Sequence, residues 1–186
     1  MTCITLLRGP SAPSSFEHSR FGARVSMSLP GEIAQGILAR AALVILRVYL
    51  GVVFLLAAMP KLRIDATADL VGFLNHVALE RGHPFYQEFV RGVMLPHAGA
   101  FAALIGWGEL LVGVTLIAGL LTRFSAALAL LLALNYMFAK GAWFWSPWST
   151  DAAHAAIALA LLIGAAGRTL GIDRFLARRW PRGVFW

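Results

Sequence analysis

A single cysteine, Cys3, stands in the whole chain, so neither an internal disulfide nor a Cys-x-x-Cys redox pair can form. Charge is sparse as well. Asp, Glu, Lys and Arg make up 13% of the 186 residues and hydrophobic residues 59%, whereas ordinary soluble domains are about 25% charged. That balance excludes an ordinary soluble domain and points to the bilayer. The long apolar runs lack period-2 alternation, which excludes a lipid-facing barrel; they are continuous and rich in Leu and Ala, and therefore helical. A Gly-rich phosphate loop, a Ser-His-Asp signature and a nucleotide fingerprint are all missing.

What is present is a set of four stretches near the ~20 apolar residues that a helix needs to cross ~30 Å of hydrocarbon. They cover 37–59, 98–121, 124–139 and 152–166. The fold class is all-α: a four-helix transmembrane bundle over 31–176. Residues 1–30 differ in character, because Pro10, Pro13, Pro30, serines and Arg8, Arg20 and Arg24 interrupt any apolar run. They read as a flexible cytoplasmic arm. No h-region with a small-residue cleavage site is visible, so no removable signal peptide is expected, and Met27 is a second candidate start. Residues 177–186 form a basic, Trp-containing tail.

Orientation follows from the positive charges. Placing both termini and Arg123 on one side gathers ten there: Arg8, Arg20, Arg24, Arg40, Arg123, Arg168, Arg174, Arg178, Arg179 and Arg182. The other side holds five, Lys61, Arg63, Arg81, Arg91 and Lys140, with Arg47 inside a span. Both termini are expected in the cytoplasm. The tail LARRWPRGVFW suits an anionic inner leaflet. Its basicity implies a membrane surface rather than nucleic acid, which would need a soluble basic face with stacking aromatics.

The first outer loop, 61–96, carries Leu70, Phe73, Leu74 and Val77 at helical spacing after Asp65 and Thr67, which can cap, then Phe85, Phe89 and Val93 after Pro84. Short interfacial helices are expected there. A folded lid joining two spans is the plainer reading. The second outer loop places Trp143, Phe144, Trp145 and Trp148 within six residues, an aromatic belt suited to anchoring.

The stretch LIGWGELLVGVTLIAGLL, 104–121, holds Glu109 near its middle. A central acid opposes insertion by about 3 kcal/mol, whereas each Leu, Ile, Val or Phe favours it by about 0.3–0.6. Six Leu, two Ile and two Val outweigh the acid. Gly106 and Gly113, three before and four after, share the face of Glu109. Small residues mark close helix approach, so Glu109 should look into the bundle.

The ~1.5 Å rise per residue sets depths. Glu109 stands about 21 Å from Arg123, Asn135 and Tyr136 about 18–20 Å from it, and His154 about 21 Å from Arg168. Arg47 lies about 10 Å above Arg40 and about 21 Å below Lys61, a gap that a long side chain narrows. A polar pocket in the outer half of the bundle, built from Glu109, Arg47, Asn135, Tyr136 and His154, is the sharp reading. Helix-to-helix glue is its competitor, the favoured one for Asn135 and Tyr136, and an interfacial place near Asp151 and the Trp cluster is the safer one for His154. No metal is assigned. His97 and His154 are offset by about 18 Å in depth, and His76 and His83 have no companion ligand cluster.

The segments RVYLGVVFLLAAMPKL, GWGELLVGVTLIAGLLTRFSAALALLLALNYMFAKG and AGRTLGIDRFL, in that order, resemble the DoxX family of small four-helix bacterial membrane proteins. The resemblance covers 40–176, with Arg47, Lys61, Glu109, Arg123, Arg168 and Asp173 in matching places. Ala58 departs from it, since relatives often have glycine there. It implies a multi-pass protein of the bacterial cytoplasmic (inner) membrane and a link to redox chemistry, because the family takes its name from a membrane subunit of a thiosulfate:quinone oxidoreductase and other members associate with thiol-handling assemblies. On that analogy Glu109 and Arg47 form the catalytic pair: Glu109 moves a proton as a quinone headgroup or a partner redox group changes state, and Arg47 holds its charge. Asn135, Tyr136 and His154 would face the bound group. No intrinsic cofactor is visible, so electrons would come from a redox-protein partner or a diffusible carrier. Two other classes remain open: a non-catalytic scaffold or assembly subunit, and a small-solute transporter, which would need a continuous polar path and broken helices or paired repeats.

Overall fold

The computed structural model describes residues 30–63, 66–164 and 171–173. The chain runs through α1 (Pro30–Lys61), α2 (Ala66–Phe73), a π-helical turn (Leu74–Ala78), α3 (Leu79–Arg81), α4 (Pro84–Phe89), a second π-helical turn (Val90–Met94), α5 (Ala98–Ala118), α6 (Thr122–Ala139) and α7 (Thr150–Gly164). The described residues contain no strand. Three helical segments, Gln35–Lys61, Ala98–Ala118 and Thr122–Ala139, are long and apolar enough to cross a membrane; α7 is a shorter apolar helix. The protein is an all-α membrane bundle. Of the expected arm, Pro30 is described, as the first residue of α1; residues 1–29, the basic tail and the expected cap Asp65 lie outside the described residues.

The three long helices and α7 form a ring in which α1 packs on α5, α5 on α6, α6 on α7 and α7 back on α1. Glycine sets the closest of these approaches. A Cβ on Gly113 would lie 2.7 Å from the Leu55 backbone nitrogen, and one on Gly106 would lie 3.1 Å from the Lys61 carbonyl oxygen. Hence α1 crosses α5 on the face that carries Gly106, Glu109 and Gly113, as the spacing of those residues requires. The core of the ring is filled by Leu50 and Phe54 of α1, Val112 and Leu116 of α5, Ala126, Ala129 and Leu132 of α6, and Ala158 and Leu161 of α7. Ile45, Leu104, Trp107, Leu131 and Ile163 point outward, where lipid tails solvate them.

The segments between α1 and α5 cover one end of the ring, called here the loop face. Their buried side chains, Leu74, Ala78, Tyr86, Val90 and Met94, make a second core with Ile105 and Ala139. The short helices expected from the sequence are present, yet Phe85, Phe89 and Val93 form the exposed row and Tyr86, Val90 and Met94 the buried one. In a membrane interface the outward row is as apolar as the inward row, so hydrophobicity alone does not tell them apart.

At the opposite end, α5 stops at Gly119 in the left-handed region (φ 68°), and the Leu120 N–H reaches back to the Thr115 carbonyl at 2.9 Å. Leu121 is also left-handed (φ 51°), an uncommon state for a side chain of that size. Asp173, from the far end of the chain, fixes this turn. Its fully buried carboxylate accepts the Leu121 N–H at 2.6 Å and the Thr122 N–H at 2.8 Å, satisfying the first free amides of α6. Asp173→Ala is expected to cost about 1–2 kcal/mol, the upper part of the range for lost helix caps, because both bonds are charge-assisted. Unfolding in mixed micelles measures the loss, and hydrogen exchange at Leu121 and Thr122 should accelerate with it. Unchanged protection at those two amides would remove Asp173 as the cap.

Candidate functional site

Glu109 is fully buried midway along α5. Lys61, the last residue of α1, donates from Nζ to both carboxylate oxygens, at 2.6 Å to Oε2 and 2.8 Å to Oε1, and also to the Ala57 carbonyl at 3.2 Å. From α6 the Tyr136 hydroxyl donates to Oε1 at 2.7 Å. Three helices thus meet on one carboxylate. A buried carboxylate is costly unless paired and hydrogen-bonded, and here it receives an ammonium and a phenol.

The cations extend this cluster. Lys61 Nζ lies 5.2 Å from the centre of the Tyr136 ring and Lys140 Nζ 5.8 Å from it, so two ammonium groups flank one aromatic ring. Lys140 in turn donates to Asp151 at 2.8 Å, tying the end of α6 to the first turn of α7. A cavity of about 220 Å³ opens among these groups, lined by Lys61, Glu109, Tyr136, Lys140, Asp151 and His154 together with apolar residues of α1 and α6. The His154 ring lies 6.3 Å from Tyr49. Behind the Lys61–Tyr136 wall is a second, mostly apolar chamber of about 160 Å³, roofed by Leu70 and Phe73 of α2 with Asp69 at its edge.

Of the five residues singled out from the sequence, Glu109, Tyr136 and His154 meet in one cavity. Asn135 faces elsewhere. Its Oδ1 accepts the Tyr86 hydroxyl at 2.8 Å, and it borders an apolar groove of about 760 Å³ between α5 and α6, with Phe89, Met94 and Trp107. Burial pushes the Tyr86 phenol up to about 12, which keeps it protonated and donating. Asn135 therefore fastens α4 to α6 and does not line the cavity around Glu109.

The expected pairing of Glu109 with Arg47 is corrected by the structure. Arg47 is buried at the far end of the ring, its Nη1 against Gly119 and Gly171, with Asp173 as the acid that acts on its charge. Ten residues of α5, about 15 Å, separate Gly119 from Glu109, and the packed layer of Leu50, Phe54, Val112 and Leu116 fills the ring between. The partner missed from the sequence is Lys61, counted there as an outer-loop charge. Its signals in the sequence are its place as the first cation after the first span and its position among the residues that carry the DoxX resemblance. Among the described residues no group of three His, Cys, Asp or Glu side chains could hold a metal ion.

Chemically, a buried carboxylate bonded to an ammonium and a phenol, beside a cavity that also holds a histidine and a second ion pair, can store and pass a proton. The DoxX family model matches residues 42–142, more than half of the chain, which include α5, α6 and the part of α1 that meets Glu109. No curated protein and no solved structure matches it.

Proposed function

The chain belongs to the DoxX family, and on that footing we propose that it is a subunit or accessory of a quinone- or thiol-linked redox system in the bacterial cytoplasmic membrane, multi-pass, with both termini cytoplasmic. The observation that carries the reading is the Lys61–Glu109–Tyr136 cluster, a fully buried acid held by two donors at the wall of a cavity. Reducing a quinone to a quinol takes up two electrons and two protons. In this reading Glu109 gives and takes the proton, Lys61 holds its charge in the role first assigned to Arg47, and Tyr136 orients the carboxylate. His154 lies in the same cavity and relays protons. The electrons come from a redox-protein partner or a diffusible carrier.

Glu109→Gln tests this in native membranes. Loss of a positioned acid–base group is expected to lower quinone reduction about a hundredfold while the assembled complex persists. Lost assembly would instead support a scaffold subunit, and lost solute flux a transporter. A purified protein that neither binds a quinone analogue nor alters the redox state of membrane quinone would end the redox reading.

A further inference from the structure

We infer that Glu109 exchanges its proton with the loop face of the membrane alone, and that the bundle is closed to protons on the other side. The inference rests on the reading of Glu109 as a proton site and adds the side from which it is served.

Toward the loop face, polar groups gather around one cavity. Glu109 is bonded to Lys61 and Tyr136 and shares its cavity with His154 and the Lys140–Asp151 pair. The Lys61 side chain is 34% exposed and the Lys140 side chain 43%, so the cation of each ion pair is open to the surroundings, and Lys140 stands at the loop-face end of α6. The cavity is roomy enough for several waters with charged and polar partners on its walls. The titratable groups that face Glu109 are Lys61 from α1, Tyr136 and Lys140 from α6, and Asp151 and His154 from α7, with Asp69 of α2 beyond the Lys61–Tyr136 wall.

Toward the opposite face the pattern breaks. Along α7, every residue from Ala155 to Gly164 is Ala, Leu, Ile or Gly. Along α6, residues 126–134 are only Ala and Leu. The next polar side chain on α5 is Thr115, about 9 Å farther along, and its hydroxyl is engaged with the Leu111 carbonyl at 2.5 Å and Ser125 Oγ at 2.7 Å. Leu50, Phe54, Val112, Ala129, Leu132 and Ala158 close the layer between. On α1, Tyr49 lies 6.3 Å from the His154 ring, but it is half exposed on the flank of the ring. Among the described residues, the side chains that fill the layer itself offer a crossing proton no donor or acceptor.

The exchange is a simple transfer. A hydronium at the loop face gives its proton to the Glu109 carboxylate, leaving water and a carboxylic acid; no electron moves. With the orientation proposed above, the loop face is the outer face.

The test uses the full-length protein in phosphatidylcholine vesicles sorted for one orientation. The carboxylic acid carbonyl band of Glu109 is followed by infrared spectroscopy while impermeant buffers change the pH of one bulk phase at a time. Glu109→Gln, which deletes the band, and Glu109→Asp, which moves it, assign it independently. The expected result is a band that rises and falls with pH at the loop face and does not move when only the opposite phase is changed. A band that follows the opposite phase, or both, overturns the sidedness and leaves Glu109 a proton site. A band indifferent to both phases overturns the proton-site reading and the sidedness with it.

Discussion

Lys61→Met is expected to destabilise the protein by about 3 kcal/mol, the low end of the range found when one partner of a buried ion pair is removed, because Glu109 is buried while the Lys61 side chain is 34% exposed. The side chain of Glu109 is 1% exposed and loses its one cationic hydrogen-bond donor among the described residues, while Tyr136 alone cannot replace an ammonium at 2.6 Å. Methionine keeps most of the lysine stem, so packing against α5 changes little and the effect is electrostatic. The double variant Lys61→Met/Glu109→Gln removes both charges and should recover most of the loss, because the glutamine amide still meets the Tyr136 hydroxyl. Unfolding in mixed micelles followed by circular dichroism gives the cycle. A loss for the single variant of about 0–1 kcal/mol, the range of exposed pairs, would show that membrane and water reach this carboxylate freely.

Gly113→Leu is expected to drive α1 away from α5 and abolish the bundle, and even Gly113→Ala should destabilise it by about 1–3 kcal/mol, as overpacked cores do. A Cβ there would sit 2.7 Å from the nitrogen, 2.8 Å from the Cα and 2.9 Å from the Cβ of Leu55, and backbone cannot swing aside as a side chain tip can. Gly108, on the same helix, supplies the control, since nothing lies within 4 Å of a Cβ built on it. Alanine is the better helix former by about 0.8–1 kcal/mol, so Gly108→Ala should stabilise α5 where Gly113→Ala weakens the protein. The opposite signs separate close approach from helix propensity. Equal effects at the two positions would mean that α1 and α5 do not meet at Gly113.

How much of the site was legible depends on which geometric rule each residue obeyed. The inward aim of Glu109 followed from the helix period alone, since Gly106 and Gly113 share its face and α1 does press on that face. Depth was less readable, because counting residues from an assumed interface presumes that helices end level with one another. They do not. Gly106 packs on the Lys61 carbonyl, so α5 extends about eight residues, some 12 Å, past the end of α1. That stagger lowers Lys61 from the outer boundary to the level of Glu109, and α2 covers the projecting part of α5. At the other end, Arg47 lies level with Gly119, at the α5–α6 turn, and so out of reach of Glu109. Asn135 and Tyr136 are neighbours in sequence and share a depth, yet successive helical residues point about 100° apart, and they serve different faces of α6.

The sequence by itself determined the helical class, the lipid environment, the spans to within a few residues and the burial of an acid against a glycine-lined helix, because composition, run length and the 3.6-residue period act within one segment. Only the tertiary structure decided which cation that acid meets, which polar residues share its cavity, and that Asp173 returns from the far end of the chain to cap α6. Those outcomes depend on the relative height and rotation of different helices. Packing sets both, and no periodicity within a single helix encodes either.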